Sequence, residues 1–125
     1  MATVTANRNH GRVVQALRDE LERRKLTAFN SLRRDLYVPG EKGAMRALFE
    51  VKSDDGSTSV YTAIGQLLFH GGGCAGQLVA VLPASVDENV VDRLKELKLS
   101  VVTYRMKNGD VSFDGLDAVV ARLSA

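Results

Sequence analysis

The sequence predicts an α/β domain in which one mixed sheet is flanked by helices. Three observations carry that prediction. Gln77–Leu82 is a short, nearly continuous apolar run, the pattern of a central strand buried on both faces. Val86–Leu97 then repeats apolar residues at helical spacing and Leu99–Arg105 returns to a strand pattern, so this unit calls for a parallel pair with a right-handed crossover. Asn108-Gly109 is the strongest hairpin signal in the chain and turns it into Val111–Phe113.

The other elements follow from the same patterns. Residues 1–8 read as a loose arm. Between Asn9 and Leu26 the residues Val13, Val14, Leu17 and Leu21 recur at helical spacing, with Asn9 as the cap. Leu32–Val38 and Met45–Lys52 read as strands joined through Pro39–Ala44. Asp54-Asp55-Gly56 is a turn, after which Ser57, Thr58 or Ser59 caps a helix that runs to His70 and buries Val60, Ala63, Ile64, Leu67 and Leu68. Gly71-Gly72-Gly73 stops it, and Leu116–Leu123 forms a last short helix. With no repeat, low-complexity segment or linker, residues 1–125 form a single domain.

Composition narrows the function classes. Apolar residues at 45 % and charged residues at 26 % describe an ordered globular chain. The single cysteine, Cys74, excludes an intrachain disulfide and a cysteine-based zinc site, and reads as a small buried residue. No apolar run approaches the ~20 residues that span a bilayer, and Met1–Asn9 lacks the apolar core of a signal peptide, so a cytoplasmic protein with no membrane partner is expected. The net charge is only +2, yet Arg8, Arg12, Arg18, Arg23, Arg24, Lys25, Arg33 and Arg34 crowd the first third, diluted by Asp19, Glu20 and Glu22. That crowding suits either a basic face for phosphates or a solvated helix of mixed charge pairs.

One stretch departs from an ordinary domain. Asp35 lies in one apolar run, Glu50-Val51-Lys52 in a second, and Gln66 in the helical third, although charges are rarely placed among core residues unless paired, metal-bound or chemically active. Strand alternation puts Glu50 and Lys52 on one face and Phe49 and Val51 on the other. A hairpin with Lys42-Gly43 as its loop pairs Glu41 with Ala44, Pro39 with Arg46, and Asp35 with Glu50. Directly opposed carboxylates destabilise a sheet unless positive charge lies between them. A divalent cation such as magnesium suits two hard oxygen donors, with Lys52 placed beside an attacking water. The competing reading is a plain ion pair on a solvated sheet face.

In this order (helix, strand with Asp35, strand with Phe49-Glu50-Val51-Lys52, helix with Tyr61-Thr62-Ala63-Ile64-Gly65-Gln66-Leu67-Leu68, strand) the chain resembles the PD-(D/E)XK nuclease superfamily over residues 10–83. Within it, the likeness is to small helix-led forms such as archaeal Holliday-junction resolvases and restriction-endonuclease-like domains. The resemblance implies a restriction-endonuclease-like core and hydrolysis of DNA phosphodiesters with Mg2+ (or Mn2+). Asp35, Glu50 and the Val51 carbonyl would hold the metal, Lys52 would be catalytic, and Gln66 would support the site or touch DNA. Arg12, Arg33 and Arg34 are the candidate nucleic-acid contacts. A homodimer or a larger complex is the expected assembly. Two departures stand: Arg34 replaces the proline before Asp35, and the first helix offers Gln15 where many relatives supply a glutamate, Glu20 and Glu22 lying further along. The second departure keeps open a catalytically inactive nuclease-like module that binds nucleic acid or protein. The near-neutral charge keeps open an α/β interaction domain.

Lesser candidates have simpler readings. His10 falls at the expected helix start and His70 at a helix end, positions that favour capping or surface roles. The glycine run follows a helix and lacks a Lys-Ser pair, which argues against a nucleotide-binding loop. Ser53, Ser57 and Ser59 read as turn and cap residues, and Tyr61 as either a core residue or a stacking surface for nucleic acid.

Overall fold

Six strands lie side by side in chain order in a computed structural model that describes residues 2–31, 34–72 and 74–124. They are β1 (Phe29–Ser31), β2 (Arg34–Pro39), β3 (Met45–Val51), β4 (Cys74–Pro83), β5 (Ser100–Lys107) and β6 (Asp110–Asp114). The pairs β1–β2, β2–β3 and β5–β6 are antiparallel, and β3–β4 and β4–β5 are parallel. Four helices complete the α/β arrangement: α1 (Ala2–Arg23), α2 (Ser57–His70), α3 (Glu88–Glu96) and α4 (Leu116–Ser124). The expected mixed sheet flanked by helices is therefore present, and both parallel pairs are joined through a helix. No helix among the described residues is long and apolar enough to cross a membrane.

Strand alternation divides the core in two. Ala47, Phe49 and Val51 of β3, with Val79, Val81, Val102 and Tyr104, face Val13, Leu17 and Leu21 of α1 and Leu116, Val119 and Leu123 of α4. Leu48, Ala80 and Leu82 face Val60 and Leu67 of α2 and Leu94 of α3. From Ala47 to Val51 the strand is buried without interruption because helices cover both its faces. Glu50 falls within that run.

Turn chemistry fixes the ends. Asn108 and Gly109 both take positive φ (54° and 84°), as a two-residue hairpin loop requires, and set Lys107 against Asp110. The Asp87 side chain caps α3 by accepting the Asn89 N–H at 2.8 Å. An extra residue in β4 breaks the β3–β4 register between Cys74 and Gln77, and a Cβ built on Gly76 would overlap the Arg46 carbonyl.

Several expectations are corrected. Helix α1 begins at Ala2 and not at Asn9, so residues 2–8 are helical where a loose arm was expected. Those residues contain neither Pro nor Gly, and extending an established helix costs far less than nucleating one. The strand expected from Leu32 begins at Arg34; Leu32 lies outside the described residues, as does Gly73 of the glycine run. Strand β1, with all three residues exposed, has no buried alternation to announce it. Cap residue of α2 is Gly56 and not a hydroxyl residue; Asp54 instead accepts the Gly56 N–H at 3.2 Å and the Ser59 hydroxyl. Leu68 is 56 % exposed and Ile64 only partly buried, since α2 turns its Val60–Ala63–Leu67 stripe to the sheet and Ile64 packs at the edge of it. The side chain of Cys74 lies outside the description.

Two substitutions test this packing by urea denaturation. Leu17→Ala, at a fully buried position, is expected to cost about 2–5 kcal/mol. Gly76→Ala is expected to cost about 1–3 kcal/mol through overlap with the Arg46 backbone. A loss below about 1 kcal/mol for Leu17→Ala would show that α1 does not pack on the sheet as described.

Candidate functional site

The β2–β3 hairpin brings the two carboxylates together. Leu36 pairs with Phe49, Tyr37 with Leu48 and Val38 with Ala47, and one further step along this ladder sets Asp35 opposite Glu50. The expected Asp35–Glu50 register therefore holds in the body of the hairpin. Near the loop it does not: Pro39 pairs with Met45, not Arg46, and a 3-10 turn at Glu41–Gly43 replaces the two-residue loop. Pro39 donates no N–H, so the ladder shifts there, and the Gly40 N–H bonds the Ala44 carbonyl at 2.7 Å to close the loop.

At the end of β3 the polar groups converge. Asp35 Oδ2 accepts the Val51 N–H at 2.7 Å, so the side chain continues the hydrogen-bond ladder beyond the backbone pairing. Lys52 Nζ lies 3.5 Å from Glu50 Oε2 and donates to Gln66 Oε1 at 2.7 Å. Helix α2 thus aims Gln66 at the lysine, which lies on the α2 side of the sheet as alternation requires. The Lys52 backbone is fixed from both sides: its N–H bonds the Val81 carbonyl at 3.0 Å, and its carbonyl accepts the Tyr104 hydroxyl at 2.8 Å. Burial, with the nearby charge of Asp54, pushes the Tyr104 phenol up to about 12, which keeps it a donor.

A residue that the sequence reading set aside completes the group. His10 Nε2 stands 3.1 Å from Asp35 Oδ1, with the imidazole half-exposed in the middle of α1. It is neither a cap nor a remote surface residue, because α1 starts eight residues before it. Gln15 instead turns to Asp19 (2.9 Å), so the first helix presents His10 and not Gln15 to the carboxylates. A signal for this was present: His10, Val13, Leu17 and Leu21 share one helical stripe, and the last three are fully buried.

Electrostatics at this point are strongly biased. Glu50 is the one buried charged side chain among the described residues, 5 % exposed. Burial first, then the charge and hydrogen bond of Asp35, push its carboxyl up to about 7 against the pull of Lys52. Burial also pushes Asp35 upward, but the hydrogen bond from His10, the Val51 N–H, the His10 charge and the Glu50 hydrogen bond outweigh it and hold Asp35 below its ordinary value. Its hydrogen bond to Asp35 raises His10; burial opposes that, and the Asp35 and Glu50 charges reinforce it. The proton of the pair therefore resides on Glu50, while Asp35 stays ionised.

Whether a divalent metal suits this place is a question of donor chemistry. Asp35, Glu50 and the Val51 carbonyl supply hard oxygens, and replacing the proton held by Glu50 with a cation would relieve the repulsion that raises its pKa. Among the described residues no group of three or more His, Cys, Asp or Glu side chains is arranged around one point. The residues fit a site built on two carboxylates and backbone, which leaves room for waters or a substrate oxygen.

The remaining candidates separate. Arg12 is exposed on α1, two residues from His10. Arg33 lies outside the described residues, and Arg34 gives its backbone to β2 while its side chain lies outside the description. Arg18 pairs with Glu22 at 3.6 Å, Arg23 with Glu20 at 2.7 Å, and Arg24, just after α1, with Glu20 at 3.5 Å and Asp117 of α4 at 2.6 Å, so the end of α1 and the turn after it form a solvated face of charge pairs. His70 ends α2 with its ring edge-on to Phe69 at 5.1 Å. A cleft of about 300 Å3 opens beside Asp35, lined by His10, Gln15, Arg18, Asn30 and Ser31 among others. A larger cavity of about 620 Å3, bordered by Lys95, Lys98 and Arg122, contains none of the converging groups.

Two measurements check the electrostatics in chelator-containing buffer. NMR titration should place the His10 pKa above 6.5, and Asp35→Asn should move it back toward that value. Glu50 has a folded value of about 7 against 4.5 in an unfolded chain, so its contribution to stability is full below pH 4.5 and is lost as pH rises through 7. Glu50→Gln removes that loss. The variant should exceed wild type at pH 8 by roughly 2–3 kcal/mol, and the difference should shrink toward pH 5. A difference independent of pH would contradict a raised Glu50.

Comparison of the chain with protein-family models, with curated proteins and with solved structures finds no match, so the functional reading rests on this geometry.

Proposed function

We propose that this chain is a metal-dependent nuclease with a restriction-endonuclease-like core, hydrolysing phosphodiester bonds of DNA. The observation that carries the reading is the convergence of Asp35 and Glu50 at one end of the β2–β3 hairpin, with Lys52 3.5 Å from Glu50 and held by Gln66. Asp35, Glu50 and the Val51 carbonyl would hold Mg2+ or Mn2+. Such an ion, when bound, neutralises phosphate charge and lowers the pKa of a bound water.

The chain's own residues supply the rest. Lys52 carries positive charge at a fixed point, where it hydrogen-bonds the attacking water and steadies charge that develops on the phosphate. Gln66 and the Tyr104–Lys52 backbone bond hold that lysine in place, which limits reorganisation during reaction. His10 orients Asp35 through Oδ1 while the Val51 N–H fixes Oδ2. Exposed Arg12, together with Arg33 and Arg34, would meet the nucleic-acid backbone. One observation favours a second reading, a nuclease-like module that binds without cleaving: among the described residues the first helix brings His10 to Asp35, while its acids Asp19, Glu20 and Glu22 pair along the helix itself.

Cleavage of linear, branched and single-stranded DNA, with and without Mg2+ or Mn2+, separates the two readings. Wild type should cleave only with metal, and Asp35→Ala and Lys52→Ala should each lower the rate by about 10²–10³-fold. Cleavage that survives both substitutions would remove this site from consideration. Tight, salt-sensitive binding without cleavage would establish the binding module. Because Glu50 must lose its proton to bind a cation, apparent metal affinity should rise with pH to about 7 and level off above it, read by calorimetry.

A further inference from the structure

The end of α3, the start of β5 and one side of α4 enclose a cavity of about 620 Å3. It lies where β5 begins, whereas Asp35 and Glu50 converge where β3, which runs in the same direction, ends. Lys95, Lys98 and Arg122 border the cavity, and no Asp or Glu is among the described residues that line it. All three cations are exposed, and none forms an ion pair among the described residues. The nearest acids in sequence are engaged elsewhere, Glu96 with Arg93 at 3.9 Å and Asp117 with Arg24 at 2.6 Å. A helix C-terminus favours a cation, which accounts for Lys95 and Arg122 one at a time. It does not account for three cations around one hollow in a chain whose net charge is only +2. Converging charges of one sign repel, and an anion between them removes that repulsion.

The hollow is held open by the fold. Gln77 of β4 accepts the Ser100 hydroxyl at 3.0 Å and donates to the Val119 carbonyl at 2.9 Å, which ties the β5 wall to the α4 wall. Gly115 takes a φ of +89° and brings the turn before α4 so close to β5 that an added Cβ would stand 3.0 Å from the Val101 carbonyl oxygen. The walls are therefore fixed before any ligand arrives.

Charge and size select the occupant. A carboxylate carries one negative charge and would leave two cations unmatched, whereas a phosphate monoester carries about −1.5 to −2 at neutral pH and a diphosphate more. The volume falls within the roughly 300–1,000 Å3 of small-molecule sites and exceeds what an inorganic ion fills. Val101 and Ala118 offer apolar surface for an uncharged body. A nucleic-acid backbone spreads its charges along a line, while these cations surround a single hollow.

We infer that this cleft binds a small phosphorylated molecule, with its phosphate groups held by Lys95, Lys98 and Arg122 and its body against Val101 and Ala118. The inference does not rest on the nuclease reading, since it uses no group of the carboxylate site and its test involves no cleavage.

NMR titration of the full chain with ADP, in chelator-containing buffer, tests it. ADP should shift the amide signals of Ser100, Val101 and Gly115, and adenosine, which lacks the phosphates, should not. Replacing Lys98→Gln together with Arg122→Gln should weaken ADP binding about tenfold or more while circular dichroism stays native. Arg105→Gln together with Lys107→Gln removes the same charge at the other end of β5 and should leave ADP binding unchanged. Equal losses in the two double variants would show a response to net charge alone and overturn the inference. So would the absence of shifts at about 10 mM ADP, a free energy too small for a dedicated site. A DNA duplex that shifts these signals where ADP does not would also overturn it, because the cleft would then be a nucleic-acid surface.

Discussion

Two carboxylates held face to face across the β2–β3 ladder are the constraint on which the site depends. Glu50 is buried under α2, Asp35 lies at the end of the neighbouring strand, and the charge of Asp35 adds to burial in disfavouring the ionised form of Glu50. Every nearby polar group answers this problem. Lys52 offers positive charge to Glu50, His10 to Asp35, and the Val51 N–H stabilises the ionised form of Asp35. The compensation is incomplete, and the shortfall appears as a Glu50 carboxyl that holds its proton up to about pH 7. A chain selected only for stability would fill this position with an apolar residue, as it does at Leu48 and Phe49 on either side of the same strand.

The fold supplies the rigidity that keeps such a pair together. β3 is flanked by β2 and β4 and covered by α1 on one face and α2 on the other, so Glu50 and Val51 have little freedom to separate. The same covering delivers the partners. α1 brings His10 to the carboxylates because its buried stripe continues into Val13 and Leu17, and α2 brings Gln66 to Lys52 because its opposite stripe packs on the sheet. The site is thus a by-product of two helices docking on opposite faces of one strand.

Much of this was legible from residue order. Period-two alternation placed Glu50 and Lys52 on one face, and the spacing between the strands placed Asp35 against Glu50. That register survived although the loop was misread, because the shift at Pro39 is confined to the end of the ladder. The role of His10 was missed for a local reason: with the helix thought to begin at Asn9, a histidine at position 10 looked like a cap. The exposure of Leu68 was missed because an apolar side chain on a helix gives no sign of which neighbour it lacks. Strand β1 was missed because pairing with Tyr37 and a tilted ring contact at 6.1 Å hold Phe29, not burial.

The central claim is that the Asp35–Glu50 pair is a cation site and not a stray pair of acids balanced by Lys52. Electron paramagnetic resonance of Mn2+ titrated into the protein at pH 7.5 tests it most directly, since bound Mn2+ loses the sharp signal of the free ion. The account predicts saturable binding by wild type that is lost in both Asp35→Asn and Glu50→Gln, with each variant still folded. Binding that both variants retain, or its absence in wild type, would contradict it.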